Sequence, residues 1–395
     1  MQHKRINFTF EIFLLSANLR VAITALPPLT NKIQSFFQLD SAQMGAVTTI
    51  PLLCFGFLSI FAGQLIKRMG TTFTLRLALV MLAVANLLRV YVSWGLFVGT
   101  VFVGAAITLL NVTLPTMIVE WHPEKSSFLN GVYTASINLF SALVGGIIVP
   151  LANHFSWQIA IQMFSIPAII AFIGSLFLGR AQGPAASEQA TVAASRNTAY
   201  PAAWRRRHVW LLAIFMGLQS FVFYTLVAWL PSIMMSHHSS ATKAGWLVAL
   251  FQIIGMPFSY FVPRAAHSRA RLFKVNLAFA VGYLVGIGLM FTTSSATPVL
   301  VMISLLLGIT TAATFSLSLS LITEISIDGA DASSVGGLVQ SVGYLLAASG
   351  PTIFGATRQL SHSWTVPLIV LLVVAIVTII FGQIFIQSSQ KVISK

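Results

Sequence analysis

Charge is the first thing this sequence lacks. Of its 395 residues, 8% are Asp, Glu, Lys or Arg, against about 25% in an average soluble domain. With 57% hydrophobic residues, a water-soluble globule of this length would have too little polar surface to cover itself. That excludes a soluble enzyme, a secreted scaffold and a disordered chain, and leaves a chain that crosses the bilayer many times. Cysteine is the second scarcity. Cys54 stands alone, so neither an internal disulfide nor a CxxC metal or redox motif can form. Acids are the third. They are Glu11, Asp40, Glu120, Glu124, Glu188, Glu324, Asp328 and Asp331. No catalytic pair, HExxH helix or GxxxxGK[ST] phosphate cradle occurs, so no enzymatic activity, metal, cofactor or ATP-driven pumping is expected.

What is there is apolar sequence in long runs. A membrane-crossing helix needs about 20 mostly apolar residues. Twelve runs qualify, at about 8–30, 43–65, 74–93, 96–119, 128–150, 157–178, 209–232, 244–263, 272–292, 298–321, 334–356 and 365–387. The first leads into Pro27-Pro28 without a small-residue cleavage site, so it is expected to stay as a span and not to be removed as a signal peptide. After Leu178 the chain turns rich in Ala, Ser and Pro up to Pro201, a linker composition. The reading is an all-α membrane protein of twelve transmembrane helices. Residues 1–180 form an N-terminal six-helix half, 181–207 a cytoplasmic linker and 208–395 a C-terminal six-helix half.

The formal net charge of +14 reports topology. With the N-terminus inside, seventeen of the 22 basic residues fall in inside loops and three, Lys32, Lys243 and Arg358, outside. This bias follows the positive-inside rule and places both termini in the cytoplasm of a multi-pass inner-membrane protein. The Arg205-Arg206-Arg207 run flanks span seven and is no nucleic-acid patch. The expected partners are the bilayer and a small-molecule solute, with the chain working as a monomer.

The halves read as repeats. Gly104 precedes Glu120 by the same distance as Gly308 precedes Glu324, Gly131 answers Gly337, Trp157 answers Trp364 and Pro28 answers Pro231. Six-helix halves repeated in parallel are the plan of the major facilitator superfamily. The loop Gly63-Gln64-Leu65-Ile66-Lys67-Arg68-Met69-Gly70 followed by Arg76 resembles that superfamily's loop signature between spans two and three, with Lys67 where an acid usually stands. Gly63, Gly70, Gly145, Gly146, Gly255 and Gly350 are expected where helices pass closely and gate, since small residues let backbones approach.

A charged residue within a span is costly, so each one is a functional candidate. Arg20 lies about twelve residues into span one, near the midplane at 1.5 Å per residue. Its guanidinium offers five donors in a flat, permanently charged fork. No carboxylate or imidazole lies at mid-membrane, so an exchangeable anion is the natural counter-ion in this reading. Arg89, one turn from the end of span three, either adds a second charge or snorkels to the interface. Thr24 shares a face with Arg20, while Asn18 is turned away. Asn111, Tyr133 and Asn138 in the first half, and Gln219, Tyr224, Gln340 and Tyr344 in the second, complete the substrate-binding candidates, with Trp229 and Gln252 as further polar or aromatic positions. Glu11, about one turn inside span one, is the coupling candidate. Any proton dependence is weak, travels with the solute, or passes through it.

Asn18-Leu19-Arg20, with Thr24 four and Pro28 eight residues after the arginine and Leu29 next, resembles the first span of the cyanate and 2-nitroimidazole transporter family within the major facilitators. That family also carries an arginine late in span three, where Asn86-Leu87-Leu88-Arg89 stands. Val21 and Pro27 occupy positions where the family often has proline and glycine. The resemblance implies a secondary transporter of a small anionic or nitro-bearing solute, working by alternating access around a central site at Arg20. The alternative is an exporter of nitro-heterocycles or other small drugs with the same fold, a larger apolar pocket and no strict need for Arg20.

Overall fold

The computed structural model describes residues 8–177, 203–262, 269–327 and 329–388, and no strand occurs among them. Eleven stretches of the described chain are long and apolar enough to cross a bilayer. A twelfth helix, Gly329–Ser361, is 33 residues long and richer in Gly and Ser. The expected linker at 181–207 lies outside the described residues as far as 202; Ala203–Arg205 is a 3-10 turn leading into span seven, Arg207–Ser236.

Apolar side chains face outward as well as inward, as a lipid solvent requires. In span twelve, Thr365–Ser388, the residues Ile369, Val373, Ile376, Ile380 and Ile384 are exposed at helical spacing. On its other side Leu368, Leu371, Ala375, Thr378, Gly382 and Phe385 are buried. The buried stripe mixes in small residues, because helices in lipid are held by close packing more than by hydrophobic exclusion.

The chain divides into two compact units, Met1–Phe37 with Ile50–Asn197, and Gln38–Thr49 with Thr198–Lys395. Each has its own buried apolar core, the first around Leu79, Ile107 and Leu110, the second around Leu212, Met216 and Val339. The first turns of span two, Ser41–Met69, thus belong to the second unit. There the Thr49 hydroxyl donates to the Ala348 carbonyl at 2.6 Å.

The helix pairings repeat. In the first unit span one packs on spans five and six, and span three on four and six. In the second, span seven packs on eleven and twelve, and span nine on ten and twelve. The paired glycines make matching contacts. A Cβ at Gly104 would lie 2.9 Å from Pro51 Cα and Cys54 Sγ, and one at Gly308 would overlap the Phe251 carbonyl oxygen. Span four therefore closes on span two as span ten closes on span eight.

The glycines expected at close passes divide. Gly255 and Gly350 are such places: a Cβ would overlap Ala312 Cβ at the first and lie 2.5 Å from Thr225 Oγ1 at the second. Gly145 and Gly146 are buried in span five. Gly63 has no atom within 4 Å of where its Cβ would be, and neither has Gly70. In this structure neither marks a close pass between helices. Gly70 has φ 82 and separates span two from Thr71–Leu88, so its part is the turn, in a conformation that side chains resist.

Candidate substrate-binding site

Span one is not a continuous helix. It runs as Phe8–Ala17, Val21–Thr24, a 3-10 turn at Pro27–Leu29 and Thr30–Phe37. The second interruption follows from Pro27 and Pro28, which cannot donate to preceding carbonyls. The first, at 18–20, contains no proline. Here the Asn18 side chain donates to the Leu14 carbonyl at 3.0 Å. That is the acceptor its main-chain N–H would use in a regular helix. The Asn18 N–H turns to Leu15 instead, at 3.1 Å, and Leu19 to Ser16 at 3.2 Å. A longer bond from the Asn18 amide to Pro167 of span six, 3.4 Å, holds the break in place. Asn18 thus shapes the break with its side-chain NH2 group already engaged.

Arg20 stands at the end of that break, half-buried, with its carbonyl restarting the helix by accepting from Ile23 and Thr24. The Thr24 hydroxyl also donates to the Arg20 carbonyl, at 3.0 Å. The charge of Arg20 is within electrostatic reach of the Tyr133 hydroxyl. Tyr133, on span five, donates to Asn111 Oδ1 on span four at 3.2 Å. Pro115 in span four cannot donate to the Asn111 carbonyl, which frees a second acceptor there. Tyr133 and Asn111 therefore form a hydrogen-bonded pair in the first unit, within electrostatic reach of Arg20. Asn138 is half-buried on span five, but five residues beyond Tyr133 turns it well away from that face.

Arg89 does not snorkel. Span three ends at Leu88, earlier than the expected 93, and Arg89 follows as its C-cap, 1% exposed. Its Nη2 donates to the Ala22 carbonyl at 2.9 Å. That carbonyl is available because the Leu26 N–H bonds Ile23 instead. Arg89 therefore grips span one just beyond Arg20. Its Nε and Nη1 are buried without a hydrogen-bond partner, as are both amide atoms of Asn86 one turn earlier. The root of this side chain fits there because span four presents Gly99, where any Cβ would overlap that of Arg89. Sequence reasoning found the arginine and missed the glycine, which lies in another helix and carries no signal of its own.

The second-unit candidates also separate. Tyr224 and Tyr344 stand edge to face with ring centroids 6.4 Å apart, and Phe223 joins Tyr224 to Phe251. Gln219 is fully buried and donates to Ser220 Oγ at 2.6 Å, with Oε1 unpartnered. Gln340 is exposed. Trp229 Nε1 donates to the Pro351 carbonyl at 2.9 Å, a structural tie between spans seven and eleven. Among the described residues no cluster of His, Cys, Asp or Glu could hold a metal.

Twelve long helices in two similarly packed sets, with a broken first span, are the architecture of a membrane transporter. The sequence profile of the Major Facilitator Superfamily matches residues 9–351, and the chain belongs to that superfamily. It is similar to the 2-nitroimidazole transporter of Escherichia coli (strain K12), with 33% identity over 96% of this chain and 95% of that one. It is also 34% identical to the uncharacterized transporter YycB of Bacillus subtilis (strain 168), over 94% and 91% of the two chains. The solved structure of the nucleoside transporter NupG has a TM-score of 0.78 at 13% identity, covering 98% of this chain and all of that one. At that identity the likeness is one of fold.

Proposed function

We propose that the chain carries a small solute bearing a planar pair of negative oxygens or an equivalent small anion, by alternating access around Arg20. The observation that carries this reading is the place of Arg20. It stands where span one leaves the helix, half-buried, with its charge within electrostatic reach of Tyr133, which is paired with Asn111. Discontinuous spans are the usual makers of transporter sites, because the break offers free backbone groups at membrane depth. A guanidinium fork there matches two oxygens set side by side. A nitro group presents the same geometry as a carboxylate with weaker charge, so the 2-nitroimidazole of the relative's name and an inorganic anion are one recognition problem. The basic loops favour a topology with both termini in the cytoplasm.

The test is binding of cyanate, nitrate, small monocarboxylates and 2-nitroimidazole to the purified protein, by thermal shift and titration. A ligand at a hundredfold its Kd stabilises by about 2.7 kcal/mol. Losing a charged partner from a buried site costs about 2–5 kcal/mol, or roughly thirty- to several-thousandfold in affinity. Arg20→Ala should show that loss. Arg20→Lys, which keeps the charge without the fork, should lose nearly as much. Wild-type affinity in a folded Arg20→Ala protein would sink the reading and favour an exporter with an apolar pocket.

A further inference from the structure

Glu11 is fully buried in span one, two turns before the first break, and neither carboxyl oxygen has a hydrogen-bond partner. Other carboxylates of the described chain are provided for. Asp40 accepts from the Gln43 N–H, Glu120 from Thr71, Glu124 faces His122 and Asp331 faces Arg206. Glu11 packs instead on Gly174 of span six, where a Cβ would lie 2.5 Å from Oε2 and 2.9 Å from Oε1. An ionised carboxylate so placed has lost its strong hydration with nothing in return, whereas a neutral carboxyl group has far less hydration to lose.

Few charges stand on the elements packed against it. Span six, Ser165–Phe177, has none. Span five contributes Tyr133, with Lys125 at its N-cap. At the end of span four His122 lies 4.6 Å, ring to ring, from Phe8, with Glu120 and Glu124 nearby in sequence. Span three contributes Arg76. Its Nη2 donates at 2.8 Å to the carbonyl of Ser175, the residue after Gly174, and its Nε is buried without a partner. An acid and a guanidinium thus meet the same turn of span six, each with donors or acceptors unspent.

We propose that Glu11 is a proton-binding site of the transport cycle. It holds one proton as a neutral carboxyl group while packed on Gly174, and gives it to water when that packing opens. The step is proton exchange alone: the O–H bond breaks, the proton passes to water and the charge of the group goes from 0 to −1. The inference rests on the chain being a transporter and is independent of what Arg20 binds.

Infrared difference spectra of the purified full-length protein, taken across a pH titration, test the site without any substrate. A protonated-carboxyl band should be present in wild type and absent from Glu11→Gln. Should that variant not fold, Gly174→Ala presses a methyl on the carboxyl group and should move the midpoint at which the band titrates. The coupling is read in liposomes under a pH gradient of about one unit, with cyanate and 2-nitroimidazole as probes and protein-free liposomes as blanks. One unit supports up to about tenfold accumulation at one proton per solute. Glu11→Gln should keep counterflow exchange and lose the accumulation. A wild-type spectrum without a Glu11-dependent band, an unmoved midpoint in Gly174→Ala, or full accumulation by Glu11→Gln overturns the proposal. If wild type takes up neither probe, the solute reading fails and the spectra still decide Glu11.

Discussion

Replacing Gly99 by alanine tests whether Arg89 serves by holding span one. The new Cβ would overlap the Cβ of Arg89 and lie 3.1 Å from its Cα. Neither atom is the end of a flexible side chain, so spans three and four must part, an overpacking cost of about 1–3 kcal/mol. The same shift draws Nη2 from the Ala22 carbonyl, now 2.9 Å away, and a charged hydrogen bond is worth about 1.5–3 kcal/mol. The effects overlap, so a total loss of about 2–5 kcal/mol is expected. Gly131→Ala is the control. Its surroundings are open, and a glycine-to-alanine change within a helix gains up to about 1 kcal/mol. Arg89→Met separates stability from positioning. It removes a buried charge with two unpartnered nitrogens, a change often neutral or favourable. It also strands the Ala22 carbonyl, at about 1–3 kcal/mol. These nearly offset. Melting of the purified proteins should therefore rank Gly99→Ala well below wild type and Arg89→Met close to it. Titration with the best wild-type ligand should show both variants weakened, since each releases the segment that carries Arg20. Wild-type melting in Gly99→Ala, or wild-type affinity in Arg89→Met, would refute the argument.

Two further predictions concern places away from Arg20. In the first turn of the helix Gly329–Ser361, before its apolar run begins, burial pushes the Asp331 carboxyl up, but bonds from Arg206 and the Ile327 N–H outweigh it and hold the group below its ordinary value. A carboxyl lowered on folding stabilises above its unfolded value, about 3.9, and that contribution is lost as pH falls through the folded value. Asp331→Asn should therefore melt lower by an amount that is the same at mildly acidic and neutral pH, about 3–5 kcal/mol for a pair with each side chain 9% exposed; a difference already gone in mild acid refutes the pairing. At Gly350 a methyl would meet Thr225 Oγ1 at 2.5 Å and the Phe221 carbonyl at 3.1 Å, while at Gly63 it would meet nothing. Gly350→Ala should cost about 1–3 kcal/mol of melting stability and Gly63→Ala nothing, and equal melting of the two variants contradicts this.

What could be read from the sequence was whatever depends on position along one helix. Arg20 is legible because a charge in an apolar run is costly whatever surrounds it. The repeat is legible because Gly104 and Gly308 keep their spacing to Glu120 and Glu324, and the structure shows each closing its span on a neighbour. What could not be read depends on which side chain faces which. Arg89 near a span end is compatible with snorkelling or with burial, and the choice is made by Gly99 in the next span. Gly63 and Gly350 look alike in sequence, yet only one has a neighbour to accommodate. Glu11 has its character from Gly174 in span six, a residue that offers a carboxyl group space and no bond.

Span one shows where the two kinds of information meet. Its second break is written in Pro27 and Pro28. Its first depends on Asn18, whose amide displaces a main-chain bond at Leu14 and reaches on to Pro167. Asparagine competes with the backbone in many helices without breaking them, so the residue alone does not announce the break. The contacts that complete it come from spans three and six, through Arg89 on Ala22 and Pro167 on Asn18. Arg20 thus stands on a stretch of backbone bounded on one side by Asn18 and on the other by Arg89. A small movement of span three or span six against span one must then reposition Arg20, and span six is also the element that covers Glu11. Proton release at Glu11 and solute release at Arg20 would share one moving part, so a variant that loosens span six at Gly174 should disturb both, whereas one confined to Gly99 should disturb Arg20 alone.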